Sequence, residues 1–382
     1  MLYTIIGAGI GGLTTALAFE RNGIDFQIFE QTPELLEVGA GIWLAPNALQ
    51  VLDHLDVLEE VQQKGNTIDR ITLGKADLTS LSDNYQNNIK DIFGYTTVAI
   101  HRAKLQKLLF DKIPENKIHL GKGFHSYEEL SNGKIKVLFE DGSSIETDYL
   151  IGGDGIHSKV RKQLFPGSKT RYSGQTCWRG IADISLDEEF HHRGIELWGN
   201  QIRFGISRIS ENKVYWFAVA IDKQNEKDKA DTKKKLLSMF NDFHPIVSNL
   251  ISATSQKNII RNDISDIKPL EIWHKNNILL IGDAGHATTP NMGQGGAQAI
   301  EDAYYLSELI SKNTNKNIFE IFEQKRRKKV NQIVKQSWNT GRIAHWRYGK
   351  GLRNFFLKNA PKKMIEKQML EMYQIDKTVS IP

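Results

Sequence analysis

The sequence predicts an α/β fold: a three-layer domain on a parallel sheet, interrupted by a mostly antiparallel sheet and followed by a C-terminal helical segment. Three observations predict it. The N-terminus reads as a strand, a glycine-rich turn, a helix and a second strand. Residues 171–222 carry successive strand patterns with aromatics on alternating positions ("CWRGIADI", "GIELWG", "IRFGISRI", "KVYWFAVAI"), as expected of a sheet with one packed face. On either side of that insert, an apolar strand runs into a glycine-flanked aspartate, at Asp154 and at Asp283.

The first element, Leu2 to Ile6, is a short apolar strand. Gly7, Gly9 and Gly12 follow it as G-x-G-x-x-G, then a helix from Leu13 to Arg21 that Asn22-Gly23 ends. Asp25 to Phe29 is the second strand, and Glu30 closes it 18 residues after Gly12. Each part has a physical task. Gly7 permits the turn, Gly9 lets a pyrophosphate touch bare backbone, Gly12 lets helix and strand pack closely, and Glu30 accepts a ribose hydroxyl. A lone G-x-G-x-x-G is weak, but all the parts in register are a strong dinucleotide signal. This leaves NAD and FAD both open. A second G-x-G-x-x-G is absent, so either NAD is the only cofactor, or FAD sits here and a nicotinamide visits without its own domain.

Residues 34–61 give a glycine-rich loop (Gly39, Gly41) and a helix entered at Pro46-Asn47. Residues 67–98 read as strands with an irregular polar middle, and a helix follows with Arg102 near its start. Asp141-Gly142 marks a hairpin turn. The next apolar strand ends in Gly152-Gly153-Asp154-Gly155, followed by Ser158 and Arg161. After the large sheet, 223–252 is charged and helical and 256–275 leads back toward the first layer. The strand Ile278 to Ile281 precedes "GDAGHATTPNMGQGG", whose glycines and proline predict a loop, with a helix from about Gly295. The pattern from 316 to 382 is helical. This divides the chain into nucleotide-binding parts at 1–72, 99–170 and 265–335, substrate-domain parts at 73–98 and 171–264, and C-terminal helices at 336–382.

Composition excludes several classes. With 382 residues, 40% hydrophobic and 25% charged, the chain can bury a large core. Cys177 is the sole cysteine, so no disulfide framework or cysteine metal site forms, and no metal is expected. No apolar run approaches bilayer-spanning length and no signal pattern opens the chain, so a cytoplasmic setting is expected. The run Lys325 to Lys329 reads as a solvated helix face, and no nucleic acid partner is expected. Residues 341–368 carry eight Lys/Arg, one acid and four large aromatics. Docking of this segment onto the protein itself is expected, rather than onto a membrane surface.

Together these motifs resemble the single-component (class A) FAD-dependent aromatic hydroxylases, in the salicylate/urate hydroxylase-like branch and related to zeaxanthin epoxidase and the tetracycline-inactivating monooxygenases. The resemblance spans nearly the whole chain, through G-x-G-x-x-G with Glu30, "GAGIWLAPNALQVLDHLDV", the Arg102 helix, "DGIHSKVR" and "GDAGHATTPNMGQGGAQAIEDA". It implies a Rossmann-like FAD-binding domain with Asp283 on the ribityl chain and Pro290 along the isoalloxazine. The N–H groups around Gly293, Gly295 and Gly296 then face the flavin's N1–C2=O edge, Glu30 holds the adenosine ribose, Arg102 lies near the pyrophosphate, and Asp154 links FAD to nicotinamide access. Gln31 stands where the family often has a basic residue, and Gly285 where alanine is common.

The implied reaction is hydroxylation of an electron-rich aromatic or heteroaromatic molecule. NAD(P)H reduces FAD, O₂ adds at flavin C4a, and the distal oxygen of the hydroperoxide goes to the substrate. The substrate is expected between the flavin and the 171–222 sheet, with Arg203, Arg208, Tyr215, Trp178 and His192 as candidates to hold it. A similar arginine and downstream tyrosine in the same branch favour Arg203 and Tyr215, although aromatics on strands are more often packing residues. His286 is expected as a structural hydrogen-bonder. Alternatives are a reductase or oxidase of related fold, a tetracycline-like antibiotic as substrate, and a non-catalytic FAD-binding regulator. The expected assembly is a monomer or homodimer, and the choice of NADH or NADPH is open.

Overall fold

The structure is a computed structural model that describes residues 1–35, 40–228, 231–312 and 317–379, so Gly39 lies outside the described residues. Its centre is a six-stranded sheet in the order His274–Lys275, Ile278–Leu280, Tyr149–Gly152, Tyr3–Ile6, Phe26–Phe29, Ile118–His119. All neighbours pair in parallel except His274–Lys275. The central strands are mostly apolar because both faces are covered. Ile5, Ile28 and Leu279 pack under the helices Ile10–Arg21 and Gly295–Lys312. Ile6, Phe29 and Leu280 pack on the other side, against a small antiparallel sheet of Phe124–Glu129, Ile135–Phe139 and Ser144–Thr147. These are the three expected layers.

The large sheet has seven strands, in the order Ile260–Ile267, Thr170–Asp183, Lys213–Ile221, Ile202–Ser210, Arg193–Trp198, Arg70–Lys75, Ser80–Tyr85. It is antiparallel except where Arg193–Trp198 meets Arg70–Lys75. One face buries Trp178, Leu197, Phe204 and Trp216 beneath the helices Thr232–Met239 and Pro245–Ala253. Because side chains alternate along a strand, Cys177, Arg203, Tyr215, Phe217 and Val219 take the opposite face. A second small sheet, Gly41–Leu44, Thr97–His101 and Asn66–Ile68, sits against that face, where Gly41 packs on the Tyr215 ring.

Several expectations are corrected. Within the expected glycine-rich loop, Gly41–Leu44 is a strand, paired with Thr97–His101. The polar middle of 67–98 holds a helix, Asn87–Phe93, that buries Ile89 and is stopped by left-handed Gly94. The glycine loop after Ile281 begins with a one-turn helix, Gly282–His286, because Asp302 accepts the Gly282 N–H at 2.9 Å and fixes its start. The run Lys325 to Lys329 is not a solvated face. Arg326 is 1% exposed, since the long helix Ile318–Ala344 crosses the acidic residues of Gly295–Lys312. The C-terminal aromatics do not all dock on the protein, since Trp346, Tyr348, Phe355 and Phe356 are exposed. Among the described residues no helix is long and apolar enough to cross a membrane, and no group of His, Cys, Asp or Glu could hold a metal ion.

Candidate active site

Three parallel strands end side by side at Gly7, Gly153 and Gly282, and the two long-helix N-termini begin just beyond them. Gly7 has φ +101°, and a Cβ there would lie 2.6 Å from the Gly153 carbonyl oxygen. A Cβ on Gly12 would lie 1.9 Å from the Gly7 carbonyl oxygen, so the helix approaches the strand only because residue 12 is glycine. Nothing lies within 4 Å of a Cβ built on Gly9, which leaves its backbone open to a ligand. Gly12→Ala is therefore expected to push the helix off the strand and yield protein without bound cofactor. The flavin absorbance of the purified variant checks this, and a normally yellow protein would contradict it.

Glu30 is fixed at the rim of this turn. It accepts from the Ala8 N–H at 2.8 Å with one oxygen, and from the Thr32 N–H at 3.0 Å and hydroxyl at 3.1 Å with the other. Arg102 opens the helix Arg102–Phe110 with its side chain exposed. Gln106 of that helix donates to the Ala8 carbonyl at 2.8 Å, which ties it to the glycine turn.

The two strand-end aspartates differ in setting. Asp154 accepts from the Lys159 and Val160 N–H groups, at 2.7 and 3.2 Å, with one oxygen. Its other oxygen is buried without a partner. Burial raises its pKa above the usual carboxylate range, against the pull of these donors. Asp283 is exposed on the cleft. Desolvation by the atoms packed around it raises its pKa too, opposed by the charges of His286, Arg102 and Arg161. Arg161 is buried and donates to the Ala284 carbonyl at 2.9 Å and the Ile156 carbonyl at 2.6 Å. It straps the two aspartate loops together and is shielded from the cleft. Ser158 caps the helix that carries it, accepting the Arg161 N–H at 2.8 Å.

Pro290 starts a single turn, Pro290–Met292, that ends at left-handed Gly293 (φ +63°). Gly295 and Gly296 then begin the helix Gly295–Lys312, and a Cβ on Gly295 would be 3.8 Å from an Asp283 carboxylate oxygen. Beneath this turn lies a buried charge network. His286 Nε2 is 2.6 Å from Asp302, and Arg326 donates to Asp302 at 2.9 Å and also pairs with Glu301. Lys329 reaches Glu301 at 2.9 Å. Burial alone would raise the Asp302 pKa, but His286 and Arg326 outweigh it and hold the carboxyl below its usual range. His286 thus has the structural hydrogen bond expected of it.

On the sheet opposite, Arg203 is 2% exposed and lies on the face that carries Cys177 and Tyr215. It donates to Glu196 at 2.9 Å and to the Asn291 side-chain oxygen, which joins the large sheet to the Pro290 turn. Its Nε is buried without a partner, as is the side-chain oxygen of neighbouring Gln175. His345, from the end of the long helix, closes this corner. Burial, reinforced by Arg203, lowers its pKa to about 4, so it is neutral at physiological pH. Tyr215 lies on the same face but pairs with Ser207, four positions from Arg203, so the two are ~13 Å apart along the strand. Tyr215 packs among Ala40, Trp43, Ile181 and Phe217, and burial raises its hydroxyl pKa.

The other candidates lie elsewhere. Trp178 is on the far face, where it donates to Asp228 at 2.7 Å. Arg208, an odd number of positions from Arg203, pairs with Val214 of that far-face core and donates to the Ser210 carbonyl at 3.1 Å. His192 is exposed beside the Thr67 carbonyl. Sequence reasoning missed Glu196, Gln175, Asn291, His345, Glu301 and Arg326. Only Asn291, beside Pro290, and Arg326, at helical spacing from buried Phe322 and Val330, carried a local signal.

The residues present fit a flavin dinucleotide: an open glycine turn, an unpartnered buried carboxylate oxygen on Asp154, and a second aspartate beside a glycine-opened helix N-terminus. Comparison with known proteins agrees. The chain matches the family described as "FAD binding domain" over residues 2–337. It is 35% identical to the aurachin C monooxygenase/isomerase of Stigmatella aurantiaca, covering 90% of this chain and 89% of that one. It is 31% identical to the 2-heptyl-3-hydroxy-4(1H)-quinolone synthase of Pseudomonas aeruginosa, covering 94% of each. The crystal structure of Klebsiella pneumoniae HpxO with FAD and uric acid superposes with a TM-score of 0.90 at 26% identity, over 98% of this chain and 96% of that one.

Proposed function

The chain belongs to the family of FAD-binding monooxygenases, and from that premise we propose that it hydroxylates an electron-rich, fused heteroaromatic molecule carrying an ionisable ring oxygen. It is an enzyme with FAD as cofactor and NAD(P)H as co-substrate. The relatives named for a quinolone and the solved structure holding uric acid support a fused heteroaromatic substrate. The observation that carries the reading is the buried Arg203, held between Glu196 and Asn291 with its Nε–H unpartnered. A buried guanidinium is matched to an enolate or phenolate oxygen, and stabilising that anion makes the ring carbon beside it more nucleophilic.

The chain's own residues then have separate tasks. Gly9, Glu30 and Asp154 hold the dinucleotide, and Asp283 binds its polyhydroxyl chain. The N-terminus of Gly295–Lys312 favours negative charge at the flavin edge. Bound FAD supplies hydride acceptance from NAD(P)H and the activation of O₂. Pro290 and Asn291 carry the wall between cofactor and substrate, and Arg203 orients the substrate oxygen. Tyr215 shapes the apolar side of the chamber.

The test is NAD(P)H oxidation by the purified enzyme with quinolones, purines, salicylates and tetracyclines, following O₂ uptake and peroxide together. Strong stimulation by a fused heteroaromatic with little peroxide is expected. Stimulation confined to single-ring acids or tetracyclines would overturn the reading. Arg203→Ala should raise KM about 10- to 100-fold, the ~1.5–3 kcal/mol of a hydrogen bond to a charged group. An unchanged KM would remove Arg203 from the substrate's contacts.

A further inference from the structure

The helix Lys350–Lys358 is built inside out. Its charged Arg353 is 3% exposed, while Leu352, Phe355 and Phe356 are 59%, 61% and 62% exposed. A surface helix ordinarily turns its apolar stripe to the core. Here the inward side is held by polar contacts instead. Arg353 donates to the Ala344 carbonyl at 2.8 Å and lies 5.0 Å from the centre of the Trp198 ring. Trp198 in turn donates to Glu196, the partner of Arg203, so this helix is seated on the rim of the substrate chamber. Leu352, Phe355 and Phe356 share one outward face by their i, i+3, i+4 spacing. Exposed Trp346, Tyr348 and Met364 from the flanking segments extend the apolar surface.

The charge of this segment is predominantly positive, with Glu366 the first acid beyond it. Residues 341–365 contain seven Lys and Arg and no Asp or Glu. Arg342, Arg347, Lys358 and Lys363 are exposed, and Arg347 lies over the Tyr348 ring at 5.4 Å. Aromatics and a leucine projecting from a predominantly basic helical surface are complementary to an anionic lipid bilayer. The rings enter the headgroup–acyl boundary while the cations meet lipid phosphates. A protein partner of ordinary surface composition would not demand so large an excess of positive charge.

We propose that this C-terminal face docks the enzyme peripherally on anionic membranes, with the rim of the substrate chamber held toward the lipid. The proposal does not depend on which aromatic compound the enzyme takes. The test is co-sedimentation of the FAD-loaded enzyme with phosphatidylcholine vesicles and with mixed phosphatidylcholine–phosphatidylglycerol vesicles. Binding to the mixed vesicles is expected, weakened by salt. Phe355→Ser/Phe356→Ser and Lys358→Glu/Lys363→Glu should each reduce the partition coefficient at least ~10-fold. These residues are exposed, so the variants should keep their flavin content and thermal midpoint, which are measured alongside. Absence of vesicle binding, or binding that survives both variants, would overturn the proposal. So would a solution dimer of the wild type that Phe355→Ser/Phe356→Ser converts to monomer, because the face would then be covered by a second copy.

Discussion

Asp283→Ala is expected to weaken FAD binding about 10- to 100-fold, the ~1.5–3 kcal/mol of a charge-assisted hydrogen bond. Asp283 opens onto the cleft where three strand ends and the start of Gly295–Lys312 converge, and Arg102 and Arg161 bias its charge. A hydroxyl that donates to this carboxylate makes a charge-assisted bond, which is stronger than one between neutral groups. Fluorescence titration of the apo-variant with FAD measures the change. Because Asp283 makes no side-chain hydrogen bond that holds the fold, the apo-protein should unfold close to the wild-type apo-protein. A variant that keeps FAD as tightly as wild type would show that the cofactor is held without this carboxylate.

Arg326→Ala is expected to cost about 3–5 kcal/mol of stability, the range for breaking a buried ion pair by removing one partner. Arg326 donates to Glu301, Asp302 and both the carbonyl and side-chain oxygens of Gln298, and it stacks on Tyr305 at 5.1 Å. Its loss leaves two carboxylates, each 0% exposed, with Lys329 and His286 as their remaining charge partners among the described residues. The damage should spread to the site, because Asp302 fixes both Gly282 and His286 beneath the Asp283 loop. Denaturant unfolding of apo- and FAD-loaded protein checks both effects. Arg326→Lys should recover part of the stability, since one ammonium cannot span both carboxylates. An unchanged unfolding midpoint in Arg326→Ala would show that the network carries little net energy.

The cofactor half of the site was legible because its constraints are local. A strand that must stop, turn without side chains and start a helix within a few residues writes glycines at fixed offsets, and a strand-end carboxylate writes itself beside them. Gly7, Gly12, Asp154 and Asp283 fall where such reasoning puts them. The substrate half was legible only in part. Alternation along a strand assigns Arg203 and Trp178 to opposite faces of the sheet, but nothing local says which face meets the cofactor domain. Trp178 and Arg208 therefore stayed candidates behind the favoured Arg203 and Tyr215 until the core on the far face placed them there.

By itself, then, the sequence determined the layers of the cofactor domain, the three glycine-bounded strand ends that border its cleft, and the family. Only the tertiary structure decided how charge is distributed. Arg326 looked like a member of a solvated basic run and is buried, while Phe355 and Phe356 looked like packing residues and are exposed. The physical reason is the same in both cases. A residue's period fixes its direction from its own helix axis, whereas the free energy of burying it depends on partners from distant segments. Glu301 and Asp302 make an interior position favourable for Arg326. The carbonyl of Ala344 and the ring of Trp198 hold Arg353 inward, and so turn the apolar face of its helix to the outside.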